Sequence, residues 1–241
     1  MEGIEVAIME PKYQINLGYI ARVSKNFGVR KLLLINPRCN HLGKEAIKYS
    51  KHARDLLEGA RICRGMSSMN KGLIIGTTGI WHKTGNAFYN LYRLDDVGRM
   101  ARRAQSMGKK VTILLGRDDT GLSKEELRHC DATISLETDA NYPILNISHA
   151  LAIILHAMKA AKAARRMETP PDAAYQNRLF SLFKMMVGSN KRIRDKQSVN
   201  MAFAHVVRRA MPTRKEINAL SIAIAPQEKM KTAGQKIKAK A

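Results

Sequence analysis

The chain has 241 residues, of which 42 are lysine or arginine and 20 are aspartate or glutamate, so its formal net charge at pH 7 is +22. Hydrophobic residues make up 45% of the chain, which is enough for a buried core and excludes a chain that is disordered throughout. An enzyme acting on small metabolites has no need of this charge, which indicates a polyanionic partner such as a nucleic acid.

Membrane insertion, secretion and metal binding find no support in the sequence. The most apolar long stretch, residues 144–158, is interrupted by polar residues and falls short of the roughly 20 residues that cross a bilayer. Glu2 and Glu5 stand where a signal peptide carries basic residues. The three cysteines are far apart, and the histidines form no zinc-ligand pattern. We therefore expect a cytoplasmic protein in a reducing compartment, with no disulfide framework and no metal.

The first 158 residues alternate short apolar runs with segments of helical period. The runs predict strands at 6–9, 31–35, 73–75, 111–115 and 133–136. The helical period predicts helices at 16–27, within 91–107, after Ser123 and over 145–166. Because the strand runs are apolar throughout, they fit parallel strands that helices cover on both faces. Residues 1–166 are therefore predicted to be an α/β domain with a parallel sheet.

The charge divides the chain near its two consecutive prolines. Residues 1–158 hold 23 basic and 15 acidic residues, whereas residues 159–241 hold 19 basic and 5 acidic residues. Pro170 and Pro171 forbid a continuing helix, so residues 167–175 are predicted to be a linker. A basic helical extension follows at 176–228, with helices at 176–187, 199–211 and 214–224, and then a disordered tail at 229–241.

Three polar segments follow predicted strands, at the edge where parallel sheets bind ligands. In residues 10–22, Asn16 is of a type that caps helices, and Gly18 would let another chain or a ligand approach closely. Residues 115–122 form a glycine-flanked loop with neither Walker nor dinucleotide spacing. Residues 141–149 lead from the last strand into the long helix. Each segment alone is explained as well by a capped helix or a tight turn as by a ligand site.

Together, the three segments resemble the motifs of the SPOUT superfamily of RNA methyltransferases. The motifs are Asn-x-Gly-x-x-x-Arg at 16–22, Gly-Arg-Asp-x-x-Gly-Leu at 116–122 and Tyr-Pro-x-Leu-Asn at 142–146. Residues 197–218 are similar to a helical extension found in that superfamily, so the resemblance covers nearly the whole chain. It implies a deep trefoil knot in the α/β domain, S-adenosylmethionine as cofactor, tRNA as partner, and a homodimer.

The resemblance also implies roles for particular residues. The catalytic set is Asn16, Arg22, Asp118, Asn146 and Ser148, with Asp118 in place of the superfamily's usual glutamate. The cofactor-binding set is Thr77, Thr78, Leu115, Gly116, Arg117, Gly121, Leu136, Pro143, Leu145 and Asn146. Because arginine stays protonated at neutral pH, Arg22 is expected to clamp a phosphate and orient the ribose rather than act as a base. In the basic extension, the candidate phosphate contacts are Arg192, Arg194, Lys196, Arg208 and Arg209.

The expected function is therefore methylation of a ribose 2′-hydroxyl in tRNA, at cytidine 32 of the anticodon loop. Two alternatives stay open. The same chemistry is also compatible with a ribosomal RNA target. A cofactor-free, dimeric RNA-binding protein would use the cationic extension alone, and it would not bind S-adenosylmethionine.

Overall fold

A computed structural model describes residues 3–69, 72–79, 91–139, 141–160 and 173–225, and it divides the chain into two compact units, 1–167 and 168–241. Within the described residues, the first unit has seven strands: β1 (Ile4–Met9), β2 (Leu32–Ile35), β3 (Arg61–Cys63), β4 (Leu73–Thr78), β5 (Leu91–Tyr92), β6 (Val111–Leu115) and β7 (Ala132–Ser135). They form one sheet in the order β3-β2-β1-β6-β4-β7-β5.

The helices of the first unit are α1 (Gln14–Asn26), α2 (Lys44–Ser50), α3 (Arg54–Glu58), α4 (Leu94–Ser106), α5 (Lys124–Arg128) and α6 (Ile147–Ala160). Short 3₁₀ turns occupy Lys51–Ala53 and Met66–Ser68. Helices α2 and α6 both pack against α1.

The sheet is parallel at each of its pairings, and its centre is fully buried. Val6 of β1 lies opposite Leu32 on one side and Ile113 on the other. Every residue of β1 and β6 is buried, as expected for strands covered on both faces. The predicted α/β class with a parallel sheet is confirmed.

Four short elements were not predicted: β3, β5, α2 and α3, the last of which has five residues. Strand β3 has three residues, two of them exposed, and β5 has two. Helix α2 buries only Ala46 and Ser50, so it has no apolar stripe to give a helical period.

Helix α6 begins at Ile147 rather than at residue 145, and the predicted continuation over 161–166 lies outside the described residues.

The second unit, described by itself, is built from helices α7 (Ala173–Ser189), α8 (Lys196–Ala210) and α9 (Arg214–Ile224). Leu179, Val207 and Ile217, one from each helix, form its buried core. Helix α7 begins at Ala173, three residues before the predicted 176, because alanine is the strongest helix former. The rest of the predicted linker, 167–172, and the predicted tail, 229–241, lie outside the described residues.

Local signals set the starts of α8 and α9. The Asp195 side chain accepts the backbone N–H of Ser198 at the start of α8. Thr213 and Glu216 form a capping box at the start of α9, which begins and ends as predicted. In the described portion of the chain, every helix is too short or too polar to cross a membrane.

Candidate active site

The three polar segments meet at the carboxyl edge of the sheet. Because all strands run parallel, the residues after β1, β4, β6 and β7 emerge on the same side. β6 lies between β1 and β4 in the sheet, so the loop 116–122 that follows it is flanked by the chain leaving those two strands. The edge therefore brings together residues separated by more than a hundred positions.

A chain of hydrogen bonds links four of the five predicted catalytic residues. Asn16 Nδ2 donates to Asp118 Oδ1 over 2.5 Å, and Asn146 Nδ2 donates to Asn16 Oδ1 over 3.0 Å. The backbone N–H and the hydroxyl of Ser148 both donate to Asn146 Oδ1, over 2.9 and 2.7 Å. One residue or more from each of the three motifs thus takes part in a single connected network.

Asp118 anchors this network to the start of α1. Its Oδ2 accepts the backbone N–H groups of Lys12, over 2.9 Å, and Tyr13, over 3.3 Å, just before the helix begins. A carboxylate there satisfies free N–H groups and complements the positive end of the helix dipole. The prediction that Asn16 caps this helix is wrong: α1 begins at Gln14, so Asn16 is its third residue and its side chain points to other partners.

Asn146 holds the start of α6 in the way that Asp118 holds α1. Its side chain accepts the N–H of Ser148, and its carbonyl accepts the N–H of Ala150. This is the capping geometry expected of an asparagine immediately before a helix. Asn146 is exposed, whereas Ser148 is buried, with 2% of its surface accessible. The buried hydroxyl of Ser148 therefore holds the exposed amide of Asn146 through its hydrogen bond to Oδ1.

The loop 116–122 is closed by its own backbone. Arg117 and Gly121 exchange two backbone hydrogen bonds of 3.1 and 3.0 Å, and Gly121 has φ +68°, which a residue with a side chain rarely adopts. A Cβ on Gly116 would lie 2.3 Å from the carbonyl carbon of Gly121. The absence of a side chain at Gly116 is therefore required by the loop itself, before any ligand is considered.

The side chain of Arg117 connects this loop to α5 and to the segment after β1. Its guanidinium donates to both oxygens of Glu126 on α5 and to Glu10 after β1, each over 2.9 Å. The hydrogen bond from Arg117 lowers the pKa of Glu10. Partial burial alone would raise the pKa of Glu126, but the Arg117 and Ser123 hydrogen bonds lower it overall. Both the guanidinium and the backbone of Arg117 are thus engaged in holding the loop.

A second ion pair joins the same loop to the segment before α1. Lys12 Nζ and the Tyr13 hydroxyl donate to Asp119, over 2.8 and 3.2 Å. The hydrogen bond from Lys12 lowers the pKa of Asp119, and the same contact raises the pKa of Lys12. Glu10, Lys12 and Asp119 carry no recognisable motif, and sequence reasoning missed them. The Ser123–Glu126 capping box was visible in the sequence, but the Arg117 pair was not.

The predicted cofactor residues lie at the carboxyl ends of the neighbouring strands β6, β4 and β7 and in the segments that follow them. Thr77 Oγ1 donates to the Leu114 carbonyl over 3.3 Å, which ties the end of β4 to β6. A Cβ on Gly79 would lie 2.7 Å from Ile144 Cδ1, so the chain after β4 touches the segment before α6. The remaining members of the set differ in exposure: Leu115 and Gly116 are buried, Thr78, Gly121, Leu136 and Leu145 are half-buried, and Pro143 is exposed.

Arg22 stands apart from the hydrogen-bond network. It lies on α1 six residues beyond Asn16, about 9 Å along the helix axis. Its side chain is exposed, and across the described ranges it makes no hydrogen bond and no ion pair. Gly18, one turn earlier, does not face another chain or a ligand: a Cβ there would lie 2.7 Å from the Ala46 carbonyl of α2. That expectation is corrected accordingly.

The predicted RNA contacts of the second unit fall into two groups. Arg192 and Arg194 are exposed in the connection between α7 and α8. Lys196 Nζ donates to the Gly188 carbonyl over 2.6 Å, at the end of α7. Arg208 lies over the Phe180 ring, 5.8 Å from its centroid, and Arg209 is half-buried. The first pair therefore has side chains turned to solvent, while the others already have contacts within the unit.

The described part of the chain contains no cluster of side chains suited to binding a metal ion. No group of three or more histidine, cysteine, aspartate or glutamate side chains could hold an ion there. Cys39, Cys63 and Cys130 are free thiols. Burial raises the pKa of Cys130, and burial together with the nearby Asp118 charge raises that of Cys39, so both favour the neutral thiol.

Comparison with known proteins agrees with the fold and the motifs. The chain is 30% identical over 222 residues to the tRNA (cytidine-2′-O-)-methyltransferase TrmJ of Methanocaldococcus jannaschii, covering 88% of this chain and 94% of that protein. It is 32% identical to the protein of the same name from Sulfolobus acidocaldarius, over 64% of this chain and 63% of that one. The crystal structure of TrmJ from Z. mobilis ZM4 superposes with a TM-score of 0.65 at 16% identity, covering 91% and 96% of the two chains.

A family match settles the assignment. Residues 3–156, nearly all of the first unit, match the SpoU rRNA Methylase family. That range includes all three motifs and the whole hydrogen-bond network at the sheet edge. The resemblance to RNA methyltransferases and the prediction of a methyltransferase are thereby confirmed. The chain belongs to the SpoU rRNA Methylase family.

Proposed function

We propose that this protein transfers the methyl group of S-adenosylmethionine to a ribose 2′-hydroxyl of tRNA, at cytidine 32 of the anticodon loop, in the cytoplasm. The observation that carries the proposal is the network Asp118–Asn16–Asn146–Ser148, which unites three separate motifs at one sheet edge. The relatives from M. jannaschii and S. acidocaldarius are named as tRNA (cytidine-2′-O-)-methyltransferases, which supports tRNA and cytidine as the target.

The residues at the edge fit the proposed cofactor. Leu136 and Leu145, both half-buried, offer apolar surface for an adenosyl group, and Thr77 and Thr78 offer hydroxyl groups nearby. Gly79 lies close to the end of the Ile144 side chain, so the segments after β4 and β7 are in contact. When bound, S-adenosylmethionine supplies a methyl group on a positively charged sulfur. We assign the predicted cofactor-binding residues, from Thr77 to Asn146, to this cofactor.

The side chains of the network have positioning roles in the proposed reaction. Methyl transfer would join the ribose 2′-oxygen to the methyl carbon in place of its bond to sulfur, and the hydroxyl proton would pass to water. Asn146 is exposed, and with Ser148 fixing its amide it can orient the reacting hydroxyl by a hydrogen bond. Arg22 stays protonated and has no partner within the described ranges, so its role is to clamp a phosphate beside the reacting ribose.

The proposal includes a knotted cofactor domain and a homodimer, both implied by the superfamily. Support for a dimer comes from apolar side chains exposed close to the site. Tyr142, Ile144 and Ile153 are 82%, 55% and 42% exposed, in the loop before α6 and on α6 itself. A second copy of this chain would cover them. Sedimentation of the intact protein as a monomer at micromolar concentration would contradict the dimer.

A matched pair of RNA substrates tests the reaction. The purified protein is incubated with methyl-labelled S-adenosylmethionine and tRNA transcripts whose nucleotide 32 is either cytidine or 2′-deoxycytidine. We expect label only in the ribose transcript, and resistance of the following phosphodiester to alkali, because only that RNA offers the 2′-hydroxyl. Label in both transcripts would place the methyl group elsewhere.

Two further measurements distinguish the alternative functions. Ribosomal RNA labelled in preference to tRNA would support the other substrate class. Tight RNA binding with no affinity for S-adenosylmethionine, measured by calorimetry, would support a non-catalytic RNA-binding protein.

A further inference from the structure

Helices α1 and α2 lie side by side and run in the same direction. Gln14 Oε1 accepts the N–H of Glu45 at their starts, and Gly18 packs against the Ala46 carbonyl and Tyr49 in the middle. Lys25 Nζ donates to the carbonyl of His52, over 2.6 Å, beyond the end of α2. Three contacts in register thus align the two helices along their length.

The register places Arg22 beside the last turn of α2. Tyr19, three residues before Arg22, contacts the ring of Tyr49 with centroids 5.1 Å apart. Lys25, three residues after Arg22, contacts His52. Since residues three apart on a helix share a face, Arg22 lies alongside the stretch from Tyr49 to His52.

That stretch and the helix before it carry exposed cations. Lys44 and Lys48 lie one turn apart on α2, and Lys51 follows the end of the helix with φ +52°; all three are exposed. Lys48 Nζ lies 5.5 Å from the centroid of the Tyr49 ring. In the described parts of the chain, neither these lysines nor Arg22 forms an ion pair.

The acidic groups around the cations do not neutralise them. The Asp55 carboxylate is paired with Lys25 over 2.7 Å, and that hydrogen bond lowers its pKa. Glu58 is paired with Arg54. Glu45 lies at the start of α2 and forms no ion pair with Lys48, one turn on. Arg22, Lys44, Lys48 and Lys51 thus form no ion pair within the described ranges, and together they outnumber the unpaired carboxylate of Glu45.

We propose that Arg22, Lys44, Lys48, Lys51 and Tyr19, hereafter the α1–α2 surface, bind the single-stranded RNA that flanks the reacting nucleotide. The inference rests on the proposed function. The cations contact successive phosphates, and the Tyr19 ring, exposed between them, stacks on an unpaired base. A row of charges with an aromatic side chain among them suits a nucleic-acid strand better than it suits a flat anionic membrane.

Salt dependence separates the charges from the ring. In the intact protein, K48Q with K51Q removes two phosphate contacts and lowers the slope of log K against log salt for a tRNA anticodon stem-loop by about 1.4, since each single-strand contact contributes about 0.7. We expect KM for this RNA to rise about tenfold, with the affinity for S-adenosylmethionine unchanged. Tyr19→Ala lowers RNA affinity severalfold without changing the salt slope, whereas Tyr19→Phe keeps the affinity.

A second pair of cations provides the matched control. Arg30 and Lys31 are exposed just before β2, at the opposite edge of the sheet, and have no ion pair among the described residues. R30Q with K31Q removes the same charge and should leave the salt slope and KM unchanged. If both double variants shift the slope equally, the α1–α2 surface is not a specific RNA site. If the unmodified protein methylates no RNA, the proposed function fails, while the two slopes still decide whether RNA binds here.

Discussion

Asp118 and Asn16, 102 residues apart in the chain, are joined by a hydrogen bond of 2.5 Å from the amide nitrogen to the carboxylate. The same carboxylate accepts two backbone N–H groups at the start of α1. With one methylene fewer than the glutamate usual in the superfamily, Asp118 reaches the helix start and the Asn16 amide at once. We propose that Asp118 positions the site through these bonds rather than touching the ribose.

Replacing Asp118 with asparagine should therefore weaken both the fold and the reaction. The amide keeps the size of the side chain but loses the negative charge at the start of α1. Its NH2 group would also compete with the Asn16 amide, which donates to this side chain. We expect a loss of about 1–2 kcal/mol in the free energy of unfolding. Urea denaturation measures this loss. Turnover should fall at least tenfold in the same variant, with Asp118→Glu recovering part of it. An Asp118→Asn protein that is as stable and as active as the original would contradict this role.

Arg22→Ala should reduce turnover by at least about tenfold, or roughly 1.4 kcal/mol of transition-state stabilisation, because the phosphate clamp is lost. Affinity for S-adenosylmethionine should stay nearly unchanged, since Arg22 lies outside the predicted cofactor set. Arg22→Lys should recover little, because an ammonium group cannot reproduce the planar two-pronged contact. Turnover is measured at saturating cofactor; full activity in Arg22→Ala would refute the assignment.

The Arg117 ion pairs should make stability depend on pH in the acid range. Glu10 and Glu126 have folded-state pKa values below their ordinary 4.5, so their contribution is present above that pH and is lost as the pH falls through the folded-state values. Arg117→Met should therefore lower Tm most at pH 6–7, and the difference from the unmodified protein should shrink below about pH 4.5. Arg54→Met, which breaks an exposed pair with Glu58, is the control and should change Tm little at any pH. A pH-independent difference for Arg117→Met would exclude the ion-pair explanation.

Two loop glycines should respond differently to alanine. At Gly116 a Cβ would overlap the backbone of Gly121 and Leu122, at 2.3–2.5 Å, so the loop has to open. At Gly121 a Cβ would meet nothing within 4 Å, and the cost, about 1 kcal/mol, comes only from φ +68°. We expect Gly116→Ala to abolish cofactor binding in calorimetry and Gly121→Ala to weaken it modestly. The reverse order would show that the pocket does not depend on closure of this loop.

The basic extension should contribute to RNA affinity through exposed charges. Arg192 and Arg194 have no side-chain partner in the described ranges, so each is free to contact a phosphate. R192Q with R194Q should lower the salt slope of tRNA binding by about 1.4–1.8, depending on whether the contacts are single-stranded or duplex. Affinity for S-adenosylmethionine should not change. If tRNA binding and its salt dependence are unaltered, the charge of the α7–α8 connection serves another purpose.

Uniformly apolar strands made most of the sheet predictable from the sequence. Residues 111–115 are buried without exception, and their predicted bounds are those observed. Helix α2 escaped prediction because it packs through Ala46 and the close approach of Gly18, which leave no periodic pattern. The resemblance supplied the names of the site residues, but not their partners. The pairing of Asn16 with Asn146, 130 residues away, follows from strand order, which no local pattern encodes. Glu10 has no motif of its own and becomes visible only when Arg117 is seen beside it.

The five hydrogen bonds from residues 12, 13 and 16 to the adjacent carboxylates of Asp118 and Asp119 have a mechanical consequence. The start of α1 and the turn at 118–119 move as one rigid piece, since neither can shift by an ångström without breaking several of these bonds. Arg22 lies on the same helix, so we expect any displacement of the loop that contains Gly116 to move that arginine as well. The motifs at 16–22 and 116–122 are therefore expected to change position together.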